Sequence, residues 1–106
     1  GDGVNRNGIL IGAPAGTAIK AVHAGRVVFA NWMRGFGNLL ILDHGDGILT
    51  LYAHLQQIDV DPGQQVANGQ TVGAVGNTGG QSRPALYFEV RQNGNPINPG
   101  NWIGKG

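Results

Sequence analysis

Arg83-Pro84-Ala85-Leu86-Tyr87-Phe88-Glu89-Val90 is the stretch whose reading decides the fold. From Ala85 to Arg91 it reads as a β-strand, entered from Gly76-Asn77-Thr78-Gly79-Gly80-Gln81-Ser82, which reads as a long flexible loop. Side chains alternate across a strand, so Leu86 and Phe88 share one face and Tyr87 takes the other. Burying Leu86 and Phe88 therefore turns Tyr87 to the opposite side. Arg91, four residues after Tyr87, projects with it.

Outward from that strand the chain continues as strands and turns. Thr17 to Val22 alternates with period two, and Arg26 to Ala30 is β-branched and aromatic. Asn38 to Asp43 is a continuous apolar run, expected as a central strand buried on both faces. Asp43-His44-Gly45-Asp46-Gly47 reads as a tight turn, with Ile48 to His54 returning as its partner strand. Asp61-Pro62-Gly63 and Asn68-Gly69 are further turns, and Gln70 to Val75 a short strand. Asn93-Gly94 closes a last hairpin, and Pro96-Ile97-Asn98-Pro99 leads toward Trp102. No amphipathic helix interrupts the pattern. The expected class is all-β, a small antiparallel sheet or β-roll with a groove on one face.

A chain of 106 residues is one domain, residues 1–106, with room for a single core. Its 20 glycines and 12% charged residues fit short strands joined by tight turns and argue against a helical bundle. A net charge of +1 gives no electrostatic case for nucleic acid or anionic lipid. The absence of cysteine excludes a disulfide scaffold and a thiolate zinc site. No apolar run is long enough to span a membrane. The start at Gly1-Asp2-Gly3 reads as an N-terminal truncation inside the first strands.

The histidines have plain readings. His23 is expected on a turn surface and His44 at a solvated hairpin end. Asp43, His44 and Asp46 in one turn point in different directions, whereas zinc needs converging ligands. The pattern Val60…Gly63…Val66…Asn68-Gly69-Gln70…Val72 resembles the turns of biotinyl and lipoyl carrier domains. Those carry a lysine at a hairpin tip, but Lys20 falls in a strand and Lys105 at the chain end.

Several separate motifs, in order and spacing, resemble the LytM-type (M23) peptidoglycan endopeptidases. In that family a late His-x-His-Phe-Glu supplies zinc and catalytic histidines, and here those positions read Ala85 and Tyr87. Arg6-Asn7-Gly8-Ile9-Leu10-Ile11 before Pro14-Ala15-Gly16-Thr17 is similar to His-x-Gly-Ile-Asp-Ile before Pro-x-Gly-Thr. That likeness places Arg6 and Leu10 at the other zinc positions. Ala21 to Val28 matches Ala-x-x-x-Gly-x-Val, and Gly35-Phe36-Gly37-Asn38 matches a Gly-Tyr-Gly loop. Leu51-Tyr52-Ala53-His54-Leu55 resembles Tyr-Ala-His-Leu, whose histidine assists catalysis. Only His54 remains of that machinery. The resemblance therefore implies degenerate metal positions at Arg6, Leu10 and Tyr87, no zinc or other cofactor, and no enzymatic activity.

Gly-Gly-Gln-x-Arg-Pro-x-Leu-Tyr-Phe-Glu is the form that the motif takes in the EnvC subgroup, metal-free domains that activate cell-wall amidases. The resemblance implies a periplasmic domain of a Gram-negative envelope whose partner is an N-acetylmuramoyl-L-alanine amidase, activated for septal peptidoglycan splitting. The amidase's regulatory helix would lie in a groove of Asn7, Leu10, Phe36, Leu39, Tyr52, His54, Tyr87 and Arg91. The Phe36 loop and the Asn77–Ser82 loop would wall it. The resemblance also implies an upstream coiled coil to the division machinery, absent from this sequence. Two alternatives stand beside this reading: a module that binds peptidoglycan itself, and a zinc endopeptidase with unusual ligands.

Overall fold

The computed structural model describes residues 8–99. Arg6, Asn7, Trp102 and Lys105 lie outside the described residues. The elements are β1 (Ile9–Gly12), β2 (Ala18–Lys20), β3 (Gly25–Met33), β4 (Gly37–Asp43), β5 (Ile48–Ile58), β6 (Gln65–Val66), β7 (Thr71–Val75), β8 (Ala85–Gln92) and β9 (Asn95–Ile97). They form one open antiparallel sheet in the order β1-β8-β5-β4-β3-β6, with β7 joining β5 and β2, and β9 joining β8. The all-β expectation holds. Asn93 and Gly94 both have positive φ (53° and 85°), the conformation that lets a two-residue turn match strand twist.

The central strands are buried on both faces, as the apolar run at 38–43 predicts. Leu40, Leu42, Tyr52, Leu55, Phe88 and Val90 pack into the larger core. Leu39, Leu51, Ala53 and Tyr87 form a second cluster on the other face, with Phe29, Phe36, Ile41 and Leu49 against it. The alternation read in the Tyr87 strand is correct: Phe88 belongs to the first cluster and Tyr87 to the second.

Tyr52 is a correction. It stands opposite Leu40 on one side and Phe88 on the other, so the register commits it to the larger core. It is buried on the face away from Tyr87 and lines no groove with it.

Two strands run further than expected, β3 to Met33 and β5 to Ile58. In β5 the cause is His54, whose φ of 67° is rare for a residue with a side chain. The strand bends there and changes partners. Through Leu55 it pairs with β4, and from Leu55 to Ile58 with β7.

His44 is also not at a solvated end. Its Nδ1–H donates to the Ala24 carbonyl at 2.8 Å, and its Nε2 lies 2.7 Å from Thr50 Oγ1. Thr50 Oγ1 is 2.9 Å from Tyr52 Oη, which receives the Val22 N–H at 3.4 Å. This thread satisfies two fully buried hydroxyls in an apolar core. Burial holds the His44 imidazole below its usual 6.5, and neighbouring His23 adds to the effect; the Ala24 carbonyl and Asp43 pull the other way. The folded state therefore favours neutral His44, while the unfolded chain takes up a proton below about 6.5. The His44 contribution is complete above that pH and is lost as pH falls. Urea midpoints should drop between about pH 7 and about pH 5, and drop less in His44→Gln. Equal drops in the two proteins would contradict this role.

Candidate functional site

The site grows from the pairing of β1 with β8. Leu10 lies directly opposite Tyr87, and Tyr87 opposite Ala53, so all three share one face. Leu10 is 51% exposed, while Tyr87 beside it is buried. The Phe36 ring sits 6.2 Å from the Tyr87 ring and the His54 ring 6.4 Å from it. These are contact distances for tilted aromatic pairs. Leu39 is completely covered and supports the patch from within the second cluster. The structure thus brings Leu10, Phe36, His54 and Tyr87 together, but of these only Leu10 and half-buried Phe36 reach solvent, over a buried His54 and Tyr87 that line no open groove.

The loop expected to be flexible is clamped at its centre. Thr78 Oγ1 donates to the Leu55 carbonyl at 2.8 Å and accepts the Asn38 N–H at 3.1 Å. His54 Nδ1–H donates to the Thr78 carbonyl at 2.7 Å, and His54 N–H to the Phe36 carbonyl at 2.8 Å. Gly79 has φ +78°, and a Cβ on it would stand 2.3 Å from the Gly37 backbone nitrogen. The two loops walling the patch are thus stitched together through His54, with glycines permitting the close approach.

Arg91 is not the free rim donor that its strand position suggests. Its Nε–H donates to Glu89 Oε2, while Tyr87 Oη–H donates to Glu89 Oε1 at 2.6 Å. Glu89 is 2% exposed, a carboxylate held inside an otherwise apolar face. Sequence reasoning passed over Glu89, although period two places it between Tyr87 and Arg91 on their face. Thr78 was also missed, because nothing local marks a loop threonine as a clamp.

The donor set does not suit zinc, which takes three or four converging nitrogen, sulfur or carboxylate ligands. Leu10 and Ala85 have no lone pairs to give, the Tyr87 hydroxyl is engaged by Glu89, and His54 Nδ1 by Thr78. Among the described residues no group of three His, Cys, Asp or Glu is placed to hold a metal ion. What the geometry offers is an apolar and aromatic surface with one buried imidazole in it.

The family model for peptidase family M23 matches residues 4–99. The chain belongs to this family. It is 45% identical over 98 residues to the murein hydrolase activator EnvC of Escherichia coli K12, covering 92% of this chain and 23% of that protein. It is 44% identical over 93 residues to the murein hydrolase activator NlpD of Salmonella dublin, covering 87% and 24%. The catalytic domain of lysostaphin, an antimicrobial peptidase from Staphylococcus simulans, superposes with a TM-score of 0.86 at 31% identity, covering 93% of this chain and 81% of that one. This M23 chain spans about a quarter of the curated activators' length. The family thus holds both activators and peptidases on one sheet.

The Tyr87–Glu89–Arg91 ladder should behave as one unit. Tyr87→Phe removes one donor from a buried carboxylate and should destabilise the domain by about 1–3 kcal/mol. Arg91→Gln should cost at least as much, and the double variant less than the sum. Urea unfolding of the set measures this; additive effects would show three independent residues.

Proposed function

We propose that this M23 domain is a non-catalytic activator of a cell-wall amidase, working in the periplasm of a Gram-negative bacterium. The observation that carries the reading is the pair Leu10 and Tyr87. At positions where an M23 peptidase needs metal ligands, one strand presents a half-exposed leucine and its partner a phenol tied to Glu89. An apolar, aromatic patch with stitched walls suits binding better than hydrolysis. The activator names of EnvC and NlpD support the same reading.

The partner surface centres on exposed Leu10 and half-buried Phe36; Tyr87, His54 and Leu39 are buried and support it from beneath rather than by contact. Asn7 belongs to the proposal through its sequence position beside β1, and Arg91 through its hold on Glu89 rather than by contact. The amidase would contribute an amphipathic regulatory helix with apolar anchors at i, i+3 and i+4 laid over Leu10. Capture of that helix opens the amidase only to the extent that the patch prefers the open state, about 1.4 kcal/mol for each tenfold gain in active population.

Leu10→Glu places a charge at the centre of the surface and, at an exposed position, leaves the fold intact. It should lower amidase stimulation at least tenfold, while Leu10→Met retains most of it. Release of dye from labelled cell wall, with circular dichroism to confirm folding, measures both. Full stimulation by folded Leu10→Glu would move the partner surface to another face.

A further inference from the structure

Strand β3 is bonded to β4 from Arg26 to Met33, but among the described residues its other side is paired only at the start. There β6 pairs with Gly25 and Arg26, and the preceding turn reaches Val27, with Gly63 N–H on the Val27 carbonyl at 2.7 Å and Val27 N–H on the Gln64 carbonyl at 2.9 Å. A register shift between Val27 and Phe29 follows, and among the described residues no strand pairs with Val28 to Met33 on that side. Val28 is 43% exposed, Trp32 57% and Met33 39%. Positions 28–33 hold no proline and no charge. Natural sheet edges are ordinarily blunted by such residues, because an open edge invites another strand. The cover here is slight: the Asn31 side-chain oxygen accepts the Trp32 N–H at 2.7 Å, where a partner strand's carbonyl would sit. Trp32 thus turns its N–H to the open side, and by alternation Ala30 does the same.

We propose that this edge receives an extended segment of a protein partner, apolar in the middle and acidic at its flanks, as an added antiparallel strand. This mode draws affinity from main-chain hydrogen bonds and selectivity from alternate side chains. The acidic flanks follow from exposed Arg34, which adjoins one end of the free run, and exposed Arg26, which lies just beyond the covered Val27 at the other. Arg26 faces Asp43 across the β3–β4 ladder, which leaves Arg34 as the stronger attraction. A second copy of this chain fits poorly. Antiparallel self-pairing centred on Ala30 would set Arg34 of one copy against Arg26 of the other, a like-charge pair. It would also drive the Arg34–Phe36 hairpin into the Gly63–Val66 segment that closes the slot. A separate peptide that ends at Gly63 meets neither obstacle.

The test uses the whole chain with two synthetic peptides, Glu-Val-Thr-Val-Thr-Val-Glu and its counterpart with lysine at both ends. Amide hydrogen exchange of Ala30, read by NMR, should slow at least tenfold with the acidic peptide at saturation and stay unchanged with the basic one. Arg34→Glu should reverse that preference, and Trp32→Lys, at an exposed position, should abolish protection without altering the circular dichroism. Unchanged Ala30 exchange with the acidic peptide would overturn the proposal, as would equal protection by both peptides or full protection in Trp32→Lys. Concentration-dependent protection without peptide, with a dimer mass in sedimentation, would assign the edge to a second copy instead.

Discussion

A carboxylate buried in a sheet face is the constraint around which the site is arranged. A carboxyl group buried at Glu89 needs partners for both of its oxygens, because buried polar atoms without hydrogen bonds are unfavourable. Tyr87 takes one oxygen and Arg91 the other, each two residues away along β8. That spacing fixes the Tyr87 ring, and the ring in turn supports Phe36, His54 and the exposed Leu10. A hydrogen-bonded phenol and a leucine thus stand side by side on this face.

The shape around that ring comes from β5. A strand that must pair with β4 and β8 at one end and with β7 at the other has to bend between them, and it bends at His54. Holding a histidine at positive φ is unfavourable, and the bonds from its backbone to Phe36 and from its ring to Thr78 offset that strain. His54 is therefore placed as a stitch between two loops. The bend and the two loops serve the fold, whatever stands at Leu10 and Tyr87.

Much of this was legible in the residues. The apolar run at 38–43 announced a strand buried on both faces, and the alternation Leu86-Tyr87-Phe88 assigned opposite sides correctly. Glycine pairs such as Asn93-Gly94 marked turns by their conformational demands. What failed was what depends on register. Tyr52 looked like a neighbour of Tyr87, but a pairing offset of one residue decides the face, and no local pattern discloses it. The Ala24–His44 and Val22–Tyr52 bonds and the Thr78 clamp join residues distant in sequence, so none of them left a local signal. Glu89 was within reach, since the period that placed Arg91 beside Tyr87 also placed the carboxylate between them.

On the proposed reading this face is held together by side chains and needs no metal ion. The direct measurement is metal content by mass spectrometry on protein exposed to zinc and dialysed, with thermal melting before and after a chelator. Less than stoichiometric metal and an unchanged melting temperature are predicted. One zinc per chain, with a melting temperature that falls when the chelator is added, would contradict it.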